Sequence, residues 1–220
     1  MPLPVPDLAR CATTDRSFTA VLEARRSQRA FGPEPVQIAA LSEFLYRSAR
    51  DTRLPTEPVE SRPEDFARIT RPYPGAGGCH PLEVYVVAHR CGDLERGLYR
   101  YEPAGHGLVA RPADLSLLDR LLAGARNAAG VAESPPVLIV LAARFARILW
   151  KYEGIGYASL LKDAGGLLQT MYLVATAMGL APCAIGGGDA ECFAAAAGTS
   201  FWEESSVAEF MLGHAVGGAP

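Results

Sequence analysis

Arg25, Arg26, Ser27 and Arg29 place three guanidinium groups and one hydroxyl within five residues of a chain whose formal net charge is −3. Charge-assisted donors this dense can converge on one tetrahedral dianion, the usual way of holding a phosphate monoester. The other use of such a cluster is a solvated basic turn, with Arg25 and Arg26 complementing the dipole at a helix end. Two glycine-rich stretches could approach a flat ring with bare backbone. PYPGAGGCHP (72–81) lacks the GK[ST] of a nucleotide loop and the strand-then-helix setting of a dinucleotide fingerprint. Its glycines admit backbone amides to close range. AIGGGD (184–189) could donate amides to the carbonyl or ring-nitrogen acceptors of a heterocycle, although both stretches also suit ordinary turns. Lys151 and Tyr152 stand side by side in WKYEGIGY. A desolvated lysine gives up its proton readily and can act as a general base with a phenol to position it; adjacent Lys and Tyr also occur by chance.

The elements that must carry these residues follow from spacing. Ser17 caps a helix with Phe18, Val21 and Leu22 on one face, delivering the arginines at its exit. Pro33 and Pro35 end that element, and Ile38, Leu41, Phe44, Leu45 and Ala49 mark a second amphipathic helix. Residues 51–72 form a proline-rich flexible loop or flap, with one helical turn at PEDFARI (63–69). A strand at 82–90, a hairpin at 97–111 turning at PAGHG, and a helix through Leu115, Leu118, Leu121 and Leu122 come next. PPVLIVLAA (135–143) predicts a central buried strand. The stretch 157–180, apolar nearly all round, predicts a long helix buried in a core or against a partner subunit. A short strand into the glycines, a short helix at ECFAAAAG and a last strand at 206–217 complete an α+β pattern without βαβ alternation.

Composition narrows the function. With 49% hydrophobic and 20% charged residues, the 220-residue chain reads as one domain, 1–220, with residues 1–16 as an N-terminal arm. The mixed charges leave no basic face for nucleic acid. Arg144 and Arg147 interrupt the most apolar run, no membrane span or signal pattern is visible, and a cytoplasmic protein is expected. Five cysteines without a CxxC pair read as free thiols, mostly buried, and four histidines at no ligand spacing imply no metal.

Taken in order, the four segments resemble the nitroreductase-like, FMN-dependent superfamily, in which R-R-S-x-R binds the FMN phosphate while P-S-x-G and I-G-G segments frame the isoalloxazine. Within it the chain is most similar to the SagB-type oxidases, or azoline dehydrogenases. Their P-S-G-G-x-x-x-P-L-E-x-Y stands against PGAGGCHPLEVY, and their K-Y-x-x-x-x-Y-x-x-L-L-x-x-A-G-x-x-x-Q against KYEGIGYASLLKDAGGLLQ. The likeness runs from about Leu22 to Gly217. It implies a nitroreductase-like α+β fold, a central, mostly antiparallel sheet flanked by helices, with the long helix forming a homodimer. It implies that Arg25, Arg26, Ser27 and Arg29 hold the FMN phosphate and that Pro74, Gly75, Ala76 and Gly77 face the ring. Gln169, Ile185, Gly186 and Gly187 complete the cofactor site, the last two through amides near flavin N5. Lys151, buried, and Tyr152 would remove the substrate proton. The implied activity is dehydrogenation of a thiazoline or oxazoline to the azole in a peptide or carrier-bound small molecule, in company with other biosynthetic enzymes. The alternatives are an NAD(P)H-dependent nitro or quinone reductase and a non-catalytic flavin-binding subunit. Gly75 departs from a frequent Ser, Ile155 from Arg, Gly166 from His and Thr170 from Asn.

Overall fold

The computed structural model describes residues 1–52 and 70–217; the expected helical turn at 63–69 and most of the expected flap lie outside the described residues. Helices α1 (Leu8–Thr14), α2 (Phe18–Ala24) and α3 (Ile38–Ala49) come first, then strands β1 (Leu82–Ala88), β2 (Gly97–Glu102) and β3 (Gly107–Arg111). Helix α4 (Leu115–Ala129), strand β4 (Val137–Arg144), and helices α5 (Ala146–Leu149) and α6 (Gly156–Ala177) follow. Strand β5 (Leu180–Ile185), helix α7 (Ala190–Ala197) and strand β6 (Glu204–His214) end the fold. The six strands form one antiparallel sheet in the order β3-β2-β1-β4-β6-β5.

Alternation across the sheet divides the core. Val84, Val86, Ile139, Leu141, Phe210 and Leu212 face α3 and α6, whereas Tyr85, Val87, Leu138, Val140 and Met211 face α4 and α7. Strand β4 is the buried centre its composition predicts, paired with β1 on one side and β6 on the other. The register of β6 slips by one residue against Leu141 and Ala142, so that Val207 forms a bulge near the end of β5.

Boundaries moved where hydrogen bonding overruled spacing. Helix α6 stops at Ala177, and Gly179 turns at a φ of 69° into β5. The N-terminal residues are tied to the sheet edge: the Met1 ammonium donates to the Leu108 carbonyl at 2.6 Å and Pro2 bridges to Gly107. Helix α1, begun by an Asp7 cap, has no amphipathic stripe to betray it. Four of the five cysteines are buried and all are free. Among the described residues no helix is long and apolar enough to cross a membrane.

Phe210 joins the layers beneath the site. Its ring is wholly buried, stacked on Phe44 of α3 at 5.9 Å and met edge-on by Tyr172 of α6 at 5.2 Å. Phe210→Ala is expected to cost about 3–5 kcal/mol of unfolding free energy, measurable by urea denaturation.

Candidate active site

The arginine segment begins where α2 ends. Ser17 caps that helix by accepting from the Ala20 amide at 3.3 Å, and Arg25 leaves it in extended conformation. The chain then lies along β5, with the Gln28 amide donating to the Pro182 carbonyl at 2.7 Å. Tyr172 organises the segment: its hydroxyl lies 2.6 Å from the Ser27 hydroxyl and accepts from the Ala184 amide at 2.8 Å, while the Arg25 guanidinium lies over its ring at 5.3 Å. Arg47, Arg96, Arg120 and Arg144 each meet a carboxylate; among the described residues Arg25, Arg26 and Arg29 form no ion pair. Three unpaired guanidiniums beside an oriented hydroxyl suit an exogenous anion.

A cavity of about 350 Å³ opens farther along α6, between Tyr157, Leu161, Gly165 and Leu168 and the end of β5 at Ile185 and Gly186. These α6 residues lie at steps of three and four that continue to Tyr172, so cavity and arginine segment share one face of the helix. Gly186 and Gly187 are exposed, and nothing stands where their side chains would be. Asp189 ends the glycine run by capping α7 through the Cys192 amide at 2.9 Å. Gln169 is exposed on the flank of the same α6 face. The cavity is of ligand-binding size, and with the anion site on the same face it fits a heterocycle carrying a phosphate.

The second glycine loop is held elsewhere. Both carboxylate oxygens of Asp163 accept from the Ala76 amide, at 2.9 and 3.0 Å, and Pro74 packs where a side chain at Gly166 would stand. Asp163 is buried, and loss of water raises its pKa against the opposing effect of the Ala76 amide. Gly77 turns at a φ of 55°, and the position of its missing Cβ lies 2.5 Å from both the Lys151 ammonium nitrogen and the Tyr152 hydroxyl. Any side chain at 77 would expel the pair. The glycine at 75 has a similar cause: a Cβ there would sit 2.7 Å from the ring of His80, itself at a φ of 43°. His80 is buried edge-on against Tyr73, and its Nδ1 has no hydrogen-bond partner among the described residues.

The fold therefore sorts the expected residues into two groups. Arg25, Ser27, Gln169, Ile185 and Gly186 gather on one side of α6, with Arg26 and Gly187 adjoining them in the chain, and Pro74, Gly75, Ala76, Gly77, Lys151 and Tyr152 lie on the other; Arg29 lines a separate cavity with Phe31 and Val131. A single chain does not bring the loop and the Lys-Tyr pair to the arginines. Lys151, expected to be buried, is exposed in the single chain. Sequence reasoning missed Tyr172, Asp163 and His80. A lone acid in the apolar run LLKDAGG was the available signal for Asp163; a tyrosine or histidine in such company reads as core.

Comparison with known proteins agrees with this architecture. The model of the nitroreductase family matches residues 22–217. MJ1384 of Methanocaldococcus jannaschii, a candidate nitroreductase, is 29% identical over 186 residues, 84% of each chain. The microcin B17-processing protein McbC of Escherichia coli is 30% identical over 122 residues, 53% of this chain and 44% of McbC. Among solved structures, a candidate nitroreductase of Ralstonia eutropha superposes with a TM-score of 0.74 at 23% identity, covering 98% of this chain and 89% of its own. A chain of the E. coli microcin synthetase McbBCD complex with truncated pro-MccB17 bound gives 0.69 at 20% identity, covering 96% and 74%. A Desulfovibrio desulfuricans protein in complex with FMN gives 0.56 at 18%, covering 94% and 91%. The family match over residues 22–217 defines the class, a flavin oxidoreductase. The chain belongs to the nitroreductase family, whose members bind flavin.

Asp163→Ala leaves the Ala76 amide without its acceptor and is expected to cost about 1–3 kcal/mol, read by chemical denaturation. Burial, reinforced by Arg71 and Arg147, lowers the His80 pKa from 6.5 to about 4. The unfolded chain thus binds a proton that the folded chain refuses, and stability falls as pH drops from about 6.5 towards 4. His80→Asn, compatible with the positive φ, should flatten that part of the stability profile in thermal melts.

Proposed function

We propose that the chain is an FMN-dependent dehydrogenase that converts a thiazoline or oxazoline ring of a peptide or peptide-like product to the aromatic azole. The observation that carries this reading is the convergence of Lys151 and Tyr152 on the bare backbone of Gly77. An amine and a phenol that meet over a loop able to receive a flat ring can take a proton from a substrate lying there. The match to McbC, a microcin B17-processing protein, supports a peptide substrate, and the likeness in fold to a chain of the microcin synthetase McbBCD complex supports biosynthetic partners.

In this reading Arg25, Arg26, Ser27 and Arg29 hold the FMN phosphate, with Tyr172 orienting the hydroxyl. The cavity would hold the ring, and the backbone of Gly186 and Gly187, open where side chains would stand, would face its polar edge. When bound, FMN supplies a two-electron acceptor, with dioxygen as the terminal oxidant. Lys151 would take one hydrogen of the substrate as a proton, and the bound FMN would supply the acceptor for the second hydrogen and its electron pair. Tyr152 positions the amine, and Asp163 fixes the loop on which both converge.

Because the two groups lie on opposite faces of α6, a second copy supplies the loop and the Lys-Tyr pair to each cavity. Tyr157 and Leu161, 56% and 42% exposed on the cavity face, offer the apolar surface such a homodimer buries. The second copy also takes Lys151 out of water. The reductase reading stands second, supported by the 84% coverage of both chains in the match to MJ1384; bleaching of bound flavin by NADH or NADPH without an azoline would favour it.

Lys151→Ala should retain FMN and lose about a hundredfold or more in azoline oxidation, whereas Arg29→Ala should release FMN. Coexpression of the two variants tests the shared site. A mixed dimer holds one site with both defects and one with neither, so about half of wild-type turnover per dimer should return. Full turnover by Lys151→Ala would remove the base assignment, and a mixture as inactive as its parents would remove the shared site.

A further inference from the structure

Glu209 of β6 pairs with Ile185, the last residue of β5, at the point where the glycine run leaves the ladder. It is 7% exposed, lines the same cavity as Gly186 and Leu168, and its carboxyl occupies the place of a side chain at Gly188. The Ser206 hydroxyl donates to Glu209 Oε1 at 2.9 Å and is its only hydrogen-bond partner among the described residues. Residues three apart on a regular strand point to opposite faces; the bulge at Val207 is what turns Ser206 and Glu209 together. A buried carboxyl with a single internal partner is costly, and an apolar side chain of similar volume would serve the core better.

We propose that Glu209 is a polar contact of the ring cavity, a carboxylic acid that offers its O–H from beside Gly188 to an acceptor on the bound isoalloxazine. The inference rests on the flavin reading given above. Burial raises the Glu209 pKa against the opposing Ser206 hydrogen bond, which favours the protonated, donating form. A neutral donor there stabilises negative charge that develops on the ring during reduction, whereas a carboxylate would repel it.

The test uses the full chain freed of cofactor and reconstituted with FMN, with affinity read by fluorescence quenching and midpoint potential by dye equilibration. Glu209→Gln, which keeps a donor, should bind FMN within about twofold of wild type. Glu209→Leu should bind about tenfold more weakly, corresponding to about 1.4 kcal/mol. Its midpoint potential should fall by about 30 mV, the equivalent of a tenfold change for a two-electron couple, while the melting temperature of the cofactor-free chain does not drop. Gly188→Ala, at an exposed position, should reproduce the leucine result by displacing the carboxyl, and decides the matter if Glu209→Leu does not fold. Wild-type affinity and potential in both variants would overturn the role of Glu209 and leave the flavin reading standing. A wild-type chain that binds no FMN would overturn both.

Discussion

Nine residues along α6 separate Asp163 from Tyr172, which is two and a half turns of helix, about 13 Å of rise and a rotation of about 180°. The arginine segment and the glycine loop are each referred to one of these two side chains. Tyr172 gathers the arginine segment and the end of β5; Asp163 gathers the glycine loop over which Lys151 and Tyr152 converge. The helix thus keeps the arginine segment and the loop that meets Lys151 and Tyr152 apart by its own geometry. Side chains cannot bridge those faces through a packed core, so within one chain the two groups stay apart.

Several glycines matter for what stands in their place. At 75 it is the His80 ring, at 77 the amine and phenol, at 188 the Glu209 carboxyl. In each case a polar group is brought against bare backbone, and only at Gly77 does a positive φ add a second requirement. The frequent family serine at position 75 is therefore incompatible with His80 where it now lies, which makes the glycine part of a local repacking.

Charge is distributed to match. The net charge is negative, yet among the described residues Arg25, Arg26 and Arg29 meet no carboxylate, while Asp163 and Glu209 are buried where loss of water raises their pKa values. An acidic chain can in this way present a cluster of arginines together with two acids whose charged forms burial disfavours.

Local chemistry made much of this legible. The all-apolar run at 135–143 pointed to a central strand, Ser17 to a helix start, and the turn residues of PAGHG to the β2–β3 hairpin, because each depends on residues close in sequence. The residue types of the site and the family they resemble were visible for the same reason. What spacing does not encode is which face of α6 each segment meets. The separation of the two half-sites, the exposure of Lys151, and the selection of Asp163, Tyr172, His80 and Glu209 from an apolar background were decided by packing between elements distant in the chain. A buried polar residue looks alike in sequence whether it is idle or placed; only the neighbour it meets in three dimensions, an amide, a hydroxyl or a missing Cβ, tells the two apart.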